Sequence, residues 1–520
     1  MKNIIHLFIL FFSVNLIFGQ IRPSGSGTQA DPYLISSADE FKWIAQTVNS
    51  GTMSNTSLYT PSYFEQTADI DFGGSTLTPI GGNNFNGSPY STSTLSKYGF
   101  NGFYDGNFFT LSNFKIDTPV TNNSYTYIGL FGLVSNYYYY LGGNFYKVGG
   151  QIKNLKISNG EIETSTTDTK ILYAGILAGS LDNVSLTYKG VIENVVVESS
   201  TLSITHNSSN SHNDNIGGLI GNAKNGEITK TYVSSSTVFA DMVGSIIQDA
   251  SVGGLIGFND YTNLSSSYFS NLDNTPGVFS IESPSANYLG GLIGALFNSG
   301  EIKENYSIAN INHEQSGGRT GGLYAYKTGT NAVIKNNFSR VNIYGTSKYV
   351  GGFLGTTQAA YINFGYTTGI ITNNCSSCSS GWWVNRFGGN ANSSNSQDLP
   401  TNLFYNSSVN SSLRAGPDEE GFGGDPSDLE SLGFSSSDLK IQSTFTNVGY
   451  DFSTIWGIDP SINDGFPYLK STQYIFVQNP ELTITPSDLN LSVGETSTIT
   501  FTISKEVSTF TVDDIDIQGS

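Results

Sequence analysis

One short phrase recurs along this 520-residue chain and limits its fold more than any other feature. It reads Ile216-Gly217-Gly218-Leu219-Ile220-Gly221, then Val252-Gly253-Gly254-Leu255-Ile256-Gly257. It returns as Leu289-Gly290-Gly291-Leu292-Ile293-Gly294 and as Val350-Gly351-Gly352-Phe353-Leu354-Gly355. Looser copies run from Tyr127 to Gly132, from Ala174 to Gly179, and as Thr320-Gly321-Gly322-Leu323-Tyr324-Ala325. The central apolar positions 130, 177, 219, 255, 292, 323 and 353 are separated by steps of 47, 42, 36, 37, 31 and 30. A second phrase follows: Gly226-Glu227-Ile228-Thr229-Lys230-Thr231-Tyr232, then copies ending at Tyr306, Phe338 and Cys375, the last being Gly369-Ile370-Ile371-Thr372-Asn373-Asn374-Cys375. Ile152 to Leu155 and Ile192 to Val195 are shorter early copies.

Isoleucine followed a few residues later by an aromatic or valine suits a short strand with one buried face. Paired glycines permit positive φ and a close approach of neighbouring backbones. A unit of about 30–45 residues holds two or three such strands and cannot bury its own apolar face, so identical units must stack. No unit carries apolar residues at helical spacing, which excludes a helical repeat. A propeller is the alternative, but it calls for a more even period of about 40–50 residues. Asn305, Asn337 and Asn374 occupy one repeat position, where they either hydrogen-bond from unit to unit or make turns.

Composition agrees. Charged residues are 12%, aromatic residues 13%, and 59 residues are glycine. A disordered chain lacks such aromatics. A net charge of −19 repels phosphate, so no nucleic-acid partner is expected. Residues 1–20 read as a secretory signal, with Lys2, an apolar stretch from Ile4 to Phe18, and Gly19 before a cut at Gln20. A membrane anchor is the alternative reading, but the stretch falls short of about 20 apolar residues. No transmembrane segment is expected in the mature chain, which should be secreted or lie on the outer cell surface.

The Gly-Gly-Leu-Ile-Gly copies resemble the GLUG motif of bacterial surface proteins, adhesins among them. The resemblance covers roughly residues 21–470. It implies an all-β fold, a right-handed parallel β-helix or solenoid of stacked repeats. The signal style, ending Phe18-Gly19-Gln20, resembles that of Bacteroidota proteins. Ser37-Ala38-Asp39-Glu40 makes a capping box, and Phe41, Ile44, Ala45 and Val48 follow at helical spacing. This predicts an N-terminal helix capping the first coil. Residues 21–125 therefore read as cap and first coils, 126–390 as the repeat array, and 391–470 as an insertion and a C-terminal cap. That cap should close the other end with Tyr450, Trp456 and Phe466. Residues 471–520 resemble the opening strands of a bacterial Ig-like domain after a linker, cut off mid-domain at Ser520.

Chemistry is harder to find. No His-Glu-x-x-His, Gly-x-Ser-x-Gly or P-loop pattern is present, so no catalytic residue is assigned and no enzyme is expected. Some proteins with the GLUG motif carry peptidase activity, but His313-Glu314-Gln315-Ser316-Gly317 lacks the zinc-peptidase spacing. Cys375 and Cys378 form Cys-Ser-Ser-Cys, for which a local disulfide outweighs a redox or zinc role. Calcium is the one cofactor the carboxylates could hold: Asp69 with Asp71, the acidic stretch from Asp418 to Glu430, and Asp459 with Asn463 and Asp464. Solvated acidic loops are the plainer reading. Tyr138, Tyr140, Trp382 and Trp383 are candidate sugar-stacking aromatics, unless they fill a core. The expected function is an exported adhesin-like protein, a rigid rod presenting a binding surface for glycans or for proteins of another cell. A polysaccharide-degrading enzyme on the same fold is the alternative.

Overall fold

The steps between repeats in the sequence are the register steps between strands in space. The computed structural model describes residues 21–50, 61–82, 99–374, 384–391, 402–413, 430–473 and 482–503, a few positions within them apart. The chain falls into two compact units, residues 1–474 and 475–520. In the first unit, Phe131 pairs with Ala178, Ala178 with Ile220, and Ile220 with Ile256, all in parallel strands. Ile256 then pairs with Ile293, Ile293 with Tyr324, and Tyr324 with Leu354. One further turn, Val384-Asn385 and Gly388–Ala391, continues the pairing although its sequence departs from the phrase.

The chain is thus all-β with few helices, and its repeats stack. Each turn through the array gives one strand to each of two nine-stranded sheets and further strands to a 22-stranded one. Pairing is parallel throughout the array, except for two antiparallel pairs near residues 120–149. Ile152, Ile192, Ile228, Leu264, Ile302 and Ile334 follow one another in register and are fully buried. Each such side chain contributes about 1.5–3 kcal/mol on leaving water. Between the isoleucine and the later apolar residue the chain turns through the left-handed region, at Asn154, Asn194, Lys230, Ser266, Glu304 and Asn336, with φ between 50° and 58°.

None of the paired glycines of the repeat phrase has positive φ. Their role is close approach. A Cβ on Gly291 would lie 2.2 Å from the carbonyl oxygen of Gly322, and one on Gly254 would lie 2.3 Å from that of Gly291. The same crowding meets Gly217, Gly218, Gly253, Gly290, Gly321, Gly322 and Gly352, and Gly351 pairs in register with Gly321. It recurs at the later glycines Gly221, Gly257, Gly294 and Gly355, where the nearest backbone atoms lie 2.4–2.6 Å away.

The asparagine position divides. Asn305 and Asn337 bond from turn to turn, but Asn374 does not join them. Asn337 stands opposite Gly365, because the strand that follows in register is Ala360–Thr367 and not the phrase at 369–375. Ile362, in that strand, continues the buried isoleucine column, whereas Ile371 pairs with Ile343 further along the same coil.

The helix Ala38–Asn49 buries Phe41, Ile44, Ala45 and Val48, and Ser37 caps its start. Glu40 accepts from the Ser36 N–H at 2.8 Å. At the other end, Phe445, Tyr450, Trp456 and Phe466 do not close the stack as a lid. They lie against Tyr306, Phe338, Tyr366 and Phe404, the outward aromatics of four consecutive turns. The reason is that Tyr306, Phe338 and Tyr366 stack ring on ring, 4.6 and 5.1 Å between centroids, and form an apolar flank that must itself be covered. In the second unit, Leu482–Pro486 pairs antiparallel with Ile499–Ile503. No described helix is long and apolar enough to cross a membrane.

Candidate functional site

The two glycines force a bend between the nine-stranded sheets, and the bend sets two columns of outward side chains beside each other. The first column is the residue preceding each phrase: Tyr127, Tyr173, Asn215, Ser251, Tyr288, Arg319 and Tyr349. The second lies two residues beyond each later aliphatic position: Ser180, Asn222, Phe258, Ala295, Tyr326 and Thr356. Tyr288 and Tyr326 come from different columns and neighbouring turns, yet their rings stack at 4.7 Å and 10°.

A cleft opens in this groove, lined by Tyr173, Asn215, Asn222, Phe258, Tyr288 and Tyr326 among others. Its volume is about 340 Å³, within the range of small-ligand sites. One end carries a satellite apolar cluster of Tyr127, Leu133 and Val120, with Tyr173 against it. The other carries Tyr288, Ala295 and Ala325, with Phe258 and Tyr326 against them. Between the ends stand Asn215 and Asn222, both almost wholly buried. Asn222 donates to Ser180 Oγ at 3.0 Å. Asn215 Oδ1 borders the cleft and has no hydrogen-bond partner among the described residues. A buried carbonyl oxygen left so costs about 1–3 kcal/mol.

Two acidic residues brace the cleft. The Tyr288 hydroxyl donates to Asp249 Oδ1 at 2.6 Å. Burial, and then Asp249 beside it, hold that hydroxyl protonated well above the usual tyrosine range. Asp214, between the lining residues Asn213 and Asn215, accepts from the Leu172 N–H at 2.8 Å and faces His206 Nδ1 at 2.7 Å. His206 Nε2 lies 3.1 Å from the Asp168 carbonyl oxygen. Both ring nitrogens therefore face acceptors, which suits the imidazolium. Burial works against that charge, but the hydrogen bond and charge of Asp214, with Asp168, outweigh it and raise the pKa.

Among the described residues, no sequence-predicted candidate lines this cleft. Cys375, Cys378, Trp382 and Trp383 lie outside the described residues, as do the signal stretch 1–20 and Asp418, Glu419, Glu420, Asp425 and Asp428. Tyr138 and Tyr140 belong to the strand Phe131–Leu141, and their side chains are likewise outside the description. The repeat glycines make the bend itself. The described carboxylates of the calcium reading, Asp69, Asp71, Glu430, Asp459 and Asp464, each accept a hydrogen bond within the fold. Asp69 accepts from the Thr110 N–H, Asp71 from Gly73 and Asn113, and Asp459 from Ser461. Asn463 and Asp464 are held by Arg340. Among the described residues no three His, Cys, Asp or Glu side chains come close enough to hold a metal. The groove residues were missed because they lie just outside the glycine phrase. Aligning the copies and reading the column two positions before each glycine pair would have found the first of the two columns.

The architecture and site define an all-β protein of stacked parallel turns with an aromatic and amide-lined groove. Residues 477–520 match the family model of a bacterial Ig-like domain. That match falls on the second unit and not on the repeat array. No curated protein matches the chain. Among solved structures, a crystal structure from Bacteroides ovatus described as a "putative immunoglobulin A1 protease" is similar over 86% of this chain and 95% of its own. The identity is 14% and the TM-score 0.40. The expectation that the chain is no enzyme is corrected by this likeness to a protein so described, and it is withdrawn. At that identity and TM-score, the protease description stays with the neighbour.

Proposed function

We propose that the chain is an exported, adhesin-like protein of the GLUG type whose stacked turns form a right-handed parallel β-solenoid that holds a glycan in its side groove. The observation that carries this reading is the cleft bounded by Tyr173 and Tyr288, with Asn215 Oδ1 unpaired at its border. A sugar presents apolar C–H faces and a dense edge of hydroxyls. Aromatic rings cover the first, and amides, which both donate and accept, serve the second. A purely apolar ligand would leave Asn215 Oδ1 unserved. Rungs about 4.8 Å apart make the groove a regular track along the strand stack, suited to a chain-like ligand. The Ig-like match and the signal-like first 20 residues support a place outside the cell.

The test is retention of the full chain on a glycan panel, with released sugar ends read alongside to separate holding from cleaving. Retention weakened about tenfold or more by Tyr288→Ala or Asn222→Leu is expected. A panel with no retained glycan, or retention indifferent to both substitutions, overturns the reading.

A further inference from the structure

Arg319 is the residue of the groove that the fold leaves unanswered. It pairs in register with Tyr288 on one side and Tyr349 on the other. Its guanidinium carbon lies 5.5, 5.0 and 5.1 Å from the ring centroids of Tyr288, Tyr326 and Tyr349. Two of those rings, Tyr288 and Tyr326, line the cleft, so the guanidinium stands beside its lining. Its Nε is buried without a hydrogen-bond partner, and no carboxylate among the described residues lies within ion-pair distance of it. Two other arginines of this protein are treated differently. Arg340 pairs with Asp464, and Arg386 with Glu430. The chain has 42 acidic residues against 23 basic ones, so a partner was not scarce.

Cation–π contact offsets part of the cost of burying a cation, by about 0.5–2 kcal/mol. It leaves the in-plane N–H groups unused. A guanidinium held among three rings, with its Nε unpaired, is preorganised for a carboxylate. The carboxylate that lines the cleft, Asp249, is occupied by the Tyr288 hydroxyl. Lys348, which lies 5.3 Å from the Tyr349 ring, adds a second cation at this end. The net charge of −19 does not oppose this locally, since charges beyond about 8 Å are largely screened at physiological salt.

We propose that Arg319 reads a carboxylate, so that the ligand of the groove is an acidic sugar, a uronate or a nonulosonate, and not a neutral glycan. This rests on the glycan reading above.

The probe is an array of uronate and nonulosonate oligosaccharides, each beside its carboxyl-reduced counterpart and with sulfated glycans as a third arm, bound by the full chain. Carboxyl reduction is expected to weaken binding by about tenfold or more, and Arg319→Gln to remove that preference. Arg319→Lys should restore it only in part, because an ammonium lacks the fork. Equal binding of acidic and reduced members overturns this inference and leaves the glycan groove standing. A preference for sulfated over carboxylated members also overturns it. No binding to any member takes both readings down. Should Arg319→Gln fail to fold, the comparison of acidic and reduced sugars on the unmodified chain decides alone.

Discussion

Asn337 Oδ1 accepts hydrogen bonds from both the backbone N–H and the Nδ2 of Asn305, at 2.9 and 3.1 Å, across 32 residues of chain. Asn305 Oδ1 does the same service for the Ser267 N–H at 3.0 Å. Both amides are buried. Asn337→Leu should strand the Asn305 donors and cost about 1–3 kcal/mol. Hydrogen exchange of the Asn305 and Ser267 amides reads this locally. Unchanged protection at both would show that the ladder adds nothing to the stack.

A Cβ on Gly291 would lie 2.2 Å from a backbone oxygen, whereas one on Gly317 meets nothing within 4 Å. Gly291→Ala should therefore force the turns apart and cost about 1–3 kcal/mol or more. Gly317→Ala should stay within about 0.5 kcal/mol of the parent. Urea unfolding of the pair tests this, and equal midpoints would remove close approach as the reason for the glycine.

Trp456 is fully buried, and its indole lies 6.3 Å from the Phe338 ring and 6.1 Å from that of Tyr366. Trp456→Ala should uncover the aromatic flank at a cost of about 3–5 kcal/mol. Near-ultraviolet circular dichroism and limited proteolysis around residues 440–470 report it. Proteolysis no faster than in the parent would argue against this segment as a cover.

Two buried histidines should give stability opposite slopes with pH. His206 has a raised pKa, so its contribution is fully present below the ordinary value of about 6.5 and is lost as pH rises through the raised one. The stability gap between the parent and His206→Gln should narrow as pH climbs above 6.5. Burial pushes His313 down to about 4, while its Nε2 stays bonded to the Ala286 carbonyl oxygen at 2.7 Å. Its neutral form is the one that folds, so stability should fall between pH 6.5 and 4, and His313→Gln should blunt that fall. Unfolding midpoints across pH 4–8.5 check both. A pH-independent gap for His206→Gln would mean that Asp214 does not hold a charged imidazole.

The fold was legible where one residue type recurs at one position. Leu219, Leu255 and Leu292 mark a column, and the steps between them are the strand register. Phe41, Ile44, Ala45 and Val48 mark a helix face by spacing alone, and all four are buried. Legibility failed at the second-phrase match that begins at Gly369, whose Ile371–Asn373 forms a different strand from the one expected. Local pattern cannot count coils, and Ile362 wins the buried position because the preceding turn hands it Ile334 as a neighbour. The closing segment was likewise visible as a cluster of aromatics around Trp456, but not the flank it covers.

The sequence by itself determined that the chain is all-β and that its repeats stack, since a unit with one apolar face has no other way to bury it. It determined where the backbones come closest, because only glycine fits there. Only the tertiary structure decided what stands in the groove. Tyr288 and Tyr326 are 38 positions apart by number, and Arg319 is ordinary among the charged residues until the bend sets it over their rings. Side chains of neighbouring turns meet through register, and register depends on the lengths of the loops between strands, which no single repeat contains.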